Sequence, residues 1–209
     1  MQNLNDYAAV LDTSQNGEDG IIQEILRHLA EHVPLDGWCS EFGAWDGVYL
    51  SNTCHLIRNK NYRAVLIEGD PRRVAKLKEN FPQTTVTKVQ RFVSFEGPDS
   101  LDSIFAECDI PKNFDFLSID VDGVDYFIFE SLKIYRPKLI CVEFNISIPN
   151  AVDWVQPRDM NVQQGASARA LVRLGAEKGY TLVASTKCNL FFVDDALAGY
   201  VVDAPAGLD

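Results

Sequence analysis

Carboxylates stand at four places where a short apolar run gives way to a turn. The first is Glu41-Phe42-Gly43-Ala44-Trp45-Asp46-Gly47, an E-x-G-x-x-x-G turn. Its glycines let the backbone turn sharply and come close to a ligand. A dinucleotide fingerprint would read G-x-G-x-x-G and seat a pyrophosphate on the next helix N-terminus. The spacing here differs, and Glu41 stands where a pyrophosphate would be unwelcome. A carboxylate there suits a positively charged or amino-bearing ligand. Glu68 follows Gly47 by 21 residues, in Ile67-Glu68-Gly69-Asp70-Pro71. A carboxylate so placed can accept both hydroxyls of a ribose. Asp70 reads as a helix cap instead, with Pro71 in the first turn, where its missing N–H costs nothing.

The third place, Ser118-Ile119-Asp120-Val121-Asp122-Gly123-Val124-Asp125, crowds three carboxylates into one loop. Like charges at close range raise one another's pKa unless a cation or hydrogen-bond donors relieve them. The cluster fits a general base, a divalent cation or an amine-bearing ligand, while Asp122 or Asp125 alone fits a helix cap. It is no EF-hand, because the glycine offset is wrong and the twelfth position is Ser131. The fourth place is Val142-Glu143-Phe144-Asn145, where Glu143 and Asn145 point to one face of a strand. His55 follows the glycine-rich turn and is a chemically suitable base near neutral pH. His28-Leu29-Ala30-Glu31-His32 matches an inverted zinc-protease pattern. With no third ligand evident, it reads as a solvated helix face.

These residues need elements to hold them, and the hydrophobic pattern supplies them. Residues 1–17 are polar and read as an arm or loop. Ile21, Ile22, Ile25, Leu26 and Leu29 have helical spacing over Glu18–His32. Strands are expected at Trp38–Phe42, Arg63–Ile67, Thr84–Val89, Phe114–Ile119 and Leu139–Phe144. Helices are expected at Asn52–Asn59, Asp70–Asn80, Leu101–Glu107, Asp125–Leu132 and Ala166–Lys178, and a closing strand pair at Tyr180–Ser185 and Asn189–Val193. Between residues 145 and 165 the pattern lapses. A loop that long is commonly a functional lid. Alternating strands and helices with continuous apolar strands mean an α/β sandwich built on a mostly parallel sheet. Its ligands bind at the carboxyl ends of the strands, where the strand order reverses.

The chain has 209 residues, and at about 150 residues per domain that length predicts one domain. With 46% hydrophobic and 23% charged side chains, it reads as globular rather than disordered. The net charge of −11 argues against phosphate-backbone binding, so no nucleic-acid partner is expected. No apolar run approaches the ~18–20 residues of a membrane span. Met1 to Gly20 lacks a signal-peptide core. The five cysteines include no C-x-x-C pair and read as buried free thiols. A cytoplasmic protein without membrane partners is the expectation; oligomeric state is not set by the sequence.

Taken together, these segments resemble the FkbM-type S-adenosylmethionine-dependent methyltransferases. The carrying motifs are Ser14-Gln15-Asn16-Gly17-Glu18-Asp19, the Glu41–Gly47 turn with Ser51-Asn52-Thr53, and Ile67-Glu68-Gly69-Asp70-Pro71. They continue with Leu117-Ser118-Ile119-Asp120-Val121-Asp122-Gly123 and Ile140-Cys141-Val142-Glu143-Phe144-Asn145. The match runs in order over residues 14–193. The resemblance implies a Rossmann-like fold, with an N-terminal arm and helix over 1–36, a core over 37–193 and a lid over 145–165. It implies that Glu41, Gly43 and Gly47 line the methionine part of the cofactor, that Glu68 holds the ribose, and that Asp120 lies near the sulfonium and the acceptor. Ala44, Asn52 and Gly69 count with them as cofactor contacts. The family's E-P-N-P reads Glu68-Gly69-Asp70-Pro71 here, and its D-x-E-G reads Asp120-Val121-Asp122-Gly123, one methylene shorter at Asp122.

The reaction this implies is in-line methyl transfer to the hydroxyl oxygen of a small natural-product or sugar acceptor, leaving S-adenosylhomocysteine. Asp120 is the first choice for general base, with His55 second and Asp122 beside them. Asp120, Asp122 and Glu143 are the set that would hold Mg²⁺ if a divalent cation takes part. Gln15, Trp45, Tyr49, Glu143, Asn145, Trp154 and Arg158 are the expected acceptor contacts, and Glu18, Asp19, Gln156 and Gln164 are expected to help cover the pocket. Two other readings are a nicotinamide oxidoreductase, which lacks its fingerprint here, and a non-catalytic adenosyl-cofactor-binding or interaction module on the same fold.

Overall fold

The computed structural model describes residues 3–121 and 123–208. Seven strands form one sheet: β1 (Trp38–Phe42), β2 (Arg63–Glu68), β3 (Val86–Gln90), β4 (Phe116–Ile119), β5 (Leu139–Glu143), β6 (Tyr180–Ser185) and β7 (Asn189–Asp194). Their order is β3-β2-β1-β4-β5-β7-β6. The first five run parallel, and β7 is antiparallel to both β5 and β6. The chain works outward from β1 to β3 and then returns to place β4 on the other side of β1. Such a reversal of strand order is where a sheet of this kind holds its crevice, at the carboxyl ends of the strands.

Every residue of β1 and β4 is buried, because helices cover both faces. Side chains alternate between those faces. Phe42, Val65, Ile67, Leu117, Ile119 and Ile140 pack against α4 (Leu101–Ala106), α5 (Asp125–Ser131) and α6 (Ala168–Glu177). Cys39, Ala64, Leu66, Phe116, Leu139 and Cys141 pack against α1 (Glu18–Ala30), α2 (Cys54–Asn59) and α3 (Pro71–Asn80). Full burial of one such Phe, Ile or Leu stabilises by about 1.5–3 kcal/mol. Local signals set the ends. Asp70 Oδ1 accepts the Arg72 N–H at 2.7 Å and the Arg73 N–H at 3.3 Å, with Pro71 opening α3 as its sequence requires.

Some expectations change. The third strand begins at Val86 rather than Thr84, because the Val86 N–H closes a turn onto the Gln83 carbonyl. The arm is held on the sheet. A 3-10 turn at Leu4–Tyr7 buries Leu4, and Asn5 Oδ1 accepts the Ser185 N–H at 3.0 Å. The chain beyond β7 forms α7 (Asp195–Ala198) and returns so that the Ala206 N–H donates to the Leu182 carbonyl. All five cysteines are free thiols, four of them buried. Among the described residues no helix is long and apolar enough to cross a membrane.

At the end of the sheet away from the crevice, a buried charge cluster ties the entries of β1, β4 and β5. Asp115, fully buried, accepts the Asp36 and Gly37 N–H groups at 3.2 and 2.8 Å. Lys138 Nζ donates to Asp115 Oδ1 at 2.8 Å, Asp36 Oδ2 at 3.2 Å and the Asn113 carbonyl at 2.6 Å. Burial and then the Asp115 charge push the Asp36 carboxyl above its ordinary value, against the pull of Lys138. A carboxyl raised in this way contributes stability that is fully present below its unfolded pKa and lost as pH rises through its folded pKa. Lys138→Met removes the opposing charge and strands Asp115. In urea unfolding at neutral pH it should cost about 3 kcal/mol, and the deficit should shrink as pH falls and Asp36 protonates. Equal stability of the two proteins at neutral pH would contradict this role for the cluster.

Candidate active site

A cleft of about 540 Å³ opens at the carboxyl ends of β1, β2, β4 and β5. That volume lies within the range of small-molecule and cofactor sites. Its shape depends on the turn after β1. Gly43 has φ 69°, and a Cβ on it would lie 2.0 Å from the Asp120 carbonyl oxygen. Only glycine lets this turn meet the loop after β4. Glu41, the last but one residue of β1, lines the cleft with a buried carboxylate. Ser51 Oγ and Thr53 Oγ1 donate to its Oε2 at 2.6 and 2.8 Å, and the Asn52 N–H donates to Oε1 at 2.9 Å. Burial raises the Glu41 carboxyl above its ordinary value, and these three donors pull it back. Glu41 thus fastens residues 51–53 beneath the cleft as well as facing it.

Glu68 ends β2 and is only 4% exposed, yet it lines the cleft. The Asp70 N–H donates to its Oε1 at 2.8 Å and the Trp45 N–H to its Oε2 at 2.9 Å. Those two bonds hold the carboxylate plane still and leave each oxygen a second lone pair. Arg73 Nη1 lies 3.9 Å from Oε2, and the Arg73 guanidinium lies 3.5 Å over the Trp45 ring. Beside Glu68, the Phe92 ring rests on Gly69, where an added Cβ would come within 2.2 Å of the ring. Phe92 is 74% exposed and lines the cleft.

Asp120 lines the same cleft from the loop after β4. Asp125 has a different task. Its Oδ1 accepts the Val121 N–H at 2.8 Å and its Oδ2 accepts the Gly123 N–H at 2.9 Å, which fixes the loop. Asp122 lies outside the described residues. Among those described, no group of three or more His, Cys, Asp or Glu is placed to hold a metal ion.

The segment over 145–165 closes one side of the cleft through Met160, Val162 and Gln163. Gln156, 2% exposed, organises it. Its Oε1 accepts the Gln164 and Gly165 N–H groups, both at 2.8 Å, and its Nε2 donates to the Val162 carbonyl at 2.7 Å. A Cβ on Gly123 would lie 3.0 Å from the Val162 carbonyl oxygen, so this segment rests directly on the Asp120 loop. From the other side the arm brings Gln15 into the cleft. Two buried acids hold the arm. Glu18 accepts from Thr186 Oγ1 at 2.7 Å, Asn189 Nδ2 at 3.2 Å and the Asn16 N–H at 2.6 Å. Asp19 Oδ2 accepts the Asp12 and Ser14 N–H groups at 3.1 and 3.2 Å.

The structure thus brings Gln15, Glu41, Gly43, Ala44 and Trp45 to one cleft with Tyr49, Glu68, Gly69, Asp120 and Glu143. Other expected site residues stand elsewhere. His55 lies on α2 and turns to α1, with Nε2 3.2 Å from Gln23 Oε1 and Nδ1 3.2 Å from Asn59 Nδ2, so it has no place as a base in the cleft. Gly47 packs on α3, where an added Cβ would lie 2.6 Å from Leu77 and Phe81. Asn52 sits behind Glu41 and donates through Nδ2 to Ser118 Oγ at 3.0 Å. Arg158 is drawn off by aromatic faces, with its guanidinium 4.5 Å over Phe95 and 5.0 Å over Phe127, and it pairs with Glu130. The Trp154 N–H donates to Ser167 Oγ at 3.0 Å, and its residue stands outside the cleft lining. Asn145 lines a second cleft, beside the first. His28 pairs with Glu24, and the His32 ring stacks on Tyr200 at 4.4 Å. Sequence reasoning missed Phe92, Arg73 and Met160. Phe92 follows β3, and the strand-end rule applied there would have found it.

No family model matches the sequence, and no curated protein matches it. Solved structures do. The CMeT domain of the citrinin polyketide synthase aligns over 87% of this chain and 54% of its own, with 12% identity and a TM-score of 0.53. The CurJ carbon methyltransferase aligns over 86% of this chain and 55% of its own, with 10% identity and a TM-score of 0.53. The chain spans about half the length of these two solved chains. The likeness is one of fold: an α/β architecture with a seven-stranded sheet, mostly parallel and closed by an antiparallel pair, aligns with these two solved chains.

Proposed function

We propose that this chain is one domain acting as an S-adenosylmethionine-dependent methyltransferase of the FkbM type, methylating a hydroxyl oxygen of a small natural-product or sugar acceptor. One observation carries the reading. Glu68 is a buried acceptor-only carboxylate, immobilised by two backbone N–H groups and open to the cleft. That donor set fits a ribose diol, which needs two acceptors at one place. The exposed Phe92 ring beside it offers an aromatic base a face to lie on. At the other end Glu41, Asp120 and Glu143 line the cleft. This end suits a sulfonium and an amino group and is ill suited to a pyrophosphate, which weighs against a nicotinamide dinucleotide. The two arginines of the cleft do not offset it. Arg73 lies on Trp45, and Arg91 is held by Glu107 at 2.7 Å. The order and spacing of the sequence motifs support the FkbM assignment, and five free thiols support a reducing, cytoplasmic setting.

When bound, S-adenosylmethionine supplies a methyl carbon made electrophilic by its sulfonium. The chain's own residues do the rest. Glu68 and the turn after β1 hold the cofactor end. The lid on Gly123 and the Gln15 arm confine the acceptor and exclude water. Alignment of this kind is worth roughly 7–11 kcal/mol of barrier. Asp120 takes the hydroxyl proton as the new C–O bond forms, a contribution of about 10²–10⁴-fold.

In calorimetry, S-adenosylhomocysteine should bind the protein in the micromolar range, NAD should not, and Glu68→Ala should abolish binding. Retention of full affinity by Glu68→Ala would remove the ribose role. Asp120→Ala should keep most of that affinity while cutting S-adenosylhomocysteine release from a metabolite extract by at least about 10²-fold. Unchanged release in that variant would end its assignment as base.

A further inference from the structure

The acceptor's chemistry is written in the second cleft, an inference that rests on the methyltransferase reading. This cleft, of about 530 Å³, meets the first along Gln15, Gly123, Glu143 and Gln163. A methyl group passing from one ligand to another has to cross at that joint. Beyond it the second cleft runs to the turn between β6 and β7, which brings in Lys187 and Cys188. Its charges are polarised. Glu143 stands at the joint, the Asp125 carboxylate is turned to the Val121 and Gly123 N–H groups, and Lys187 is the only cation among the described lining residues. Lys187 makes no ion pair among the described residues, in a chain whose net charge is −11.

Between these ends the walls carry carboxamides: Asn16 on the arm, Asn145 after β5, Gln164 on the lid. Asn145 is fixed in place, donating through Nδ2 to the Gln164 carbonyl at 2.8 Å and accepting the Ser147 N–H at 2.9 Å. A carboxamide both donates and accepts, which matches a ligand body rich in hydroxyl or amide groups. We propose that the methyl acceptor is a polar hydroxyl compound carrying an anionic oxygen group, a carboxylate or a phosphate, at the end remote from the methylated hydroxyl, and that Lys187 selects it. The hydroxyl end meets Glu143 and the cofactor cleft, and the anion meets the ammonium. Lys187 is a specificity determinant and takes no part in the bond changes.

The test is ligand-observed saturation-transfer NMR on the protein saturated with S-adenosylhomocysteine. Glucuronate is compared with glucose, and glycerol phosphate with glycerol. An anionic member should bind at least about fivefold better than its neutral counterpart, the scale of one exposed ion pair. Which of the two anions binds identifies carboxylate or phosphate as the group. Lys187→Glu should abolish that preference and Lys187→Arg should keep it, while calorimetry shows unchanged S-adenosylhomocysteine affinity in both. Equal signals from anionic and neutral members, a preference that survives Lys187→Glu, or no signal from either anion would each overturn the proposal. If the anions bind through Lys187 but S-adenosylhomocysteine does not bind the parent protein, the anion site stands and the cofactor reading falls.

Discussion

The missing side chain of Gly43 is the constraint from which the site follows. A Cβ there would lie 2.0 Å from the Asp120 carbonyl oxygen. Without it, the turn after β1 folds against the loop after β4, at the point where the strand order reverses. Two buried carboxylates then lock the halves. Glu41 gathers Ser51, Asn52 and Thr53 under the β1 turn, and Asp125 gathers the amides of Val121 and Gly123 under the β4 loop. The acids nearest the cleft therefore have two tasks, building it and facing it, and Glu41 has both. Sequence alone presents them as one crowd.

The same pairing of tasks explains how a strongly acidic chain builds a cleft with fixed walls. Glu68 spends part of its acceptor capacity on the Trp45 and Asp70 amides, and that expenditure fixes its orientation. Glu18 and Asp19 lie buried behind Gln15, where they serve the arm. Gln156 does for the segment over 145–165 what these acids do for the arm, with an amide that pairs backbone donors and acceptors alike. The chain's own hydrogen bonds thus hold the walls on both sides, an arrangement that lowers the reorganisation cost of binding.

Much of this was legible in the sequence, because strand ends in a parallel sheet are both apolar in pattern and chemical in content. The turn at Glu41–Gly47, the Asp70–Pro71 cap and the carboxylates Glu68, Asp120 and Glu143 could be read from type and spacing. What failed did so for physical reasons. His55 sits on a helix of 6 residues, too short for periodicity to say which side faces the sheet. Arg158 is expected at the acceptor because it lies in the 145–165 segment, but its partners are the rings of Phe95 and Phe127, far away in sequence. The family resemblance implies a cofactor contact at Gly47, but its φ of 77° and its fit against Leu77 and Phe81 serve the turn itself. Phe92 escaped because β3 is half-exposed and ends without an acidic marker.

The central claim is that the cleft between the β1 turn, Glu68 and Asp120 is an adenosyl-cofactor site. A crystal structure of the protein grown with S-adenosylhomocysteine tests it most directly. The account predicts ribose hydroxyls on the Glu68 carboxylate, the adenine against Phe92 and the sulfur towards Asp120. A ligand bound elsewhere, or lying in the cleft with its ribose away from Glu68, would contradict it.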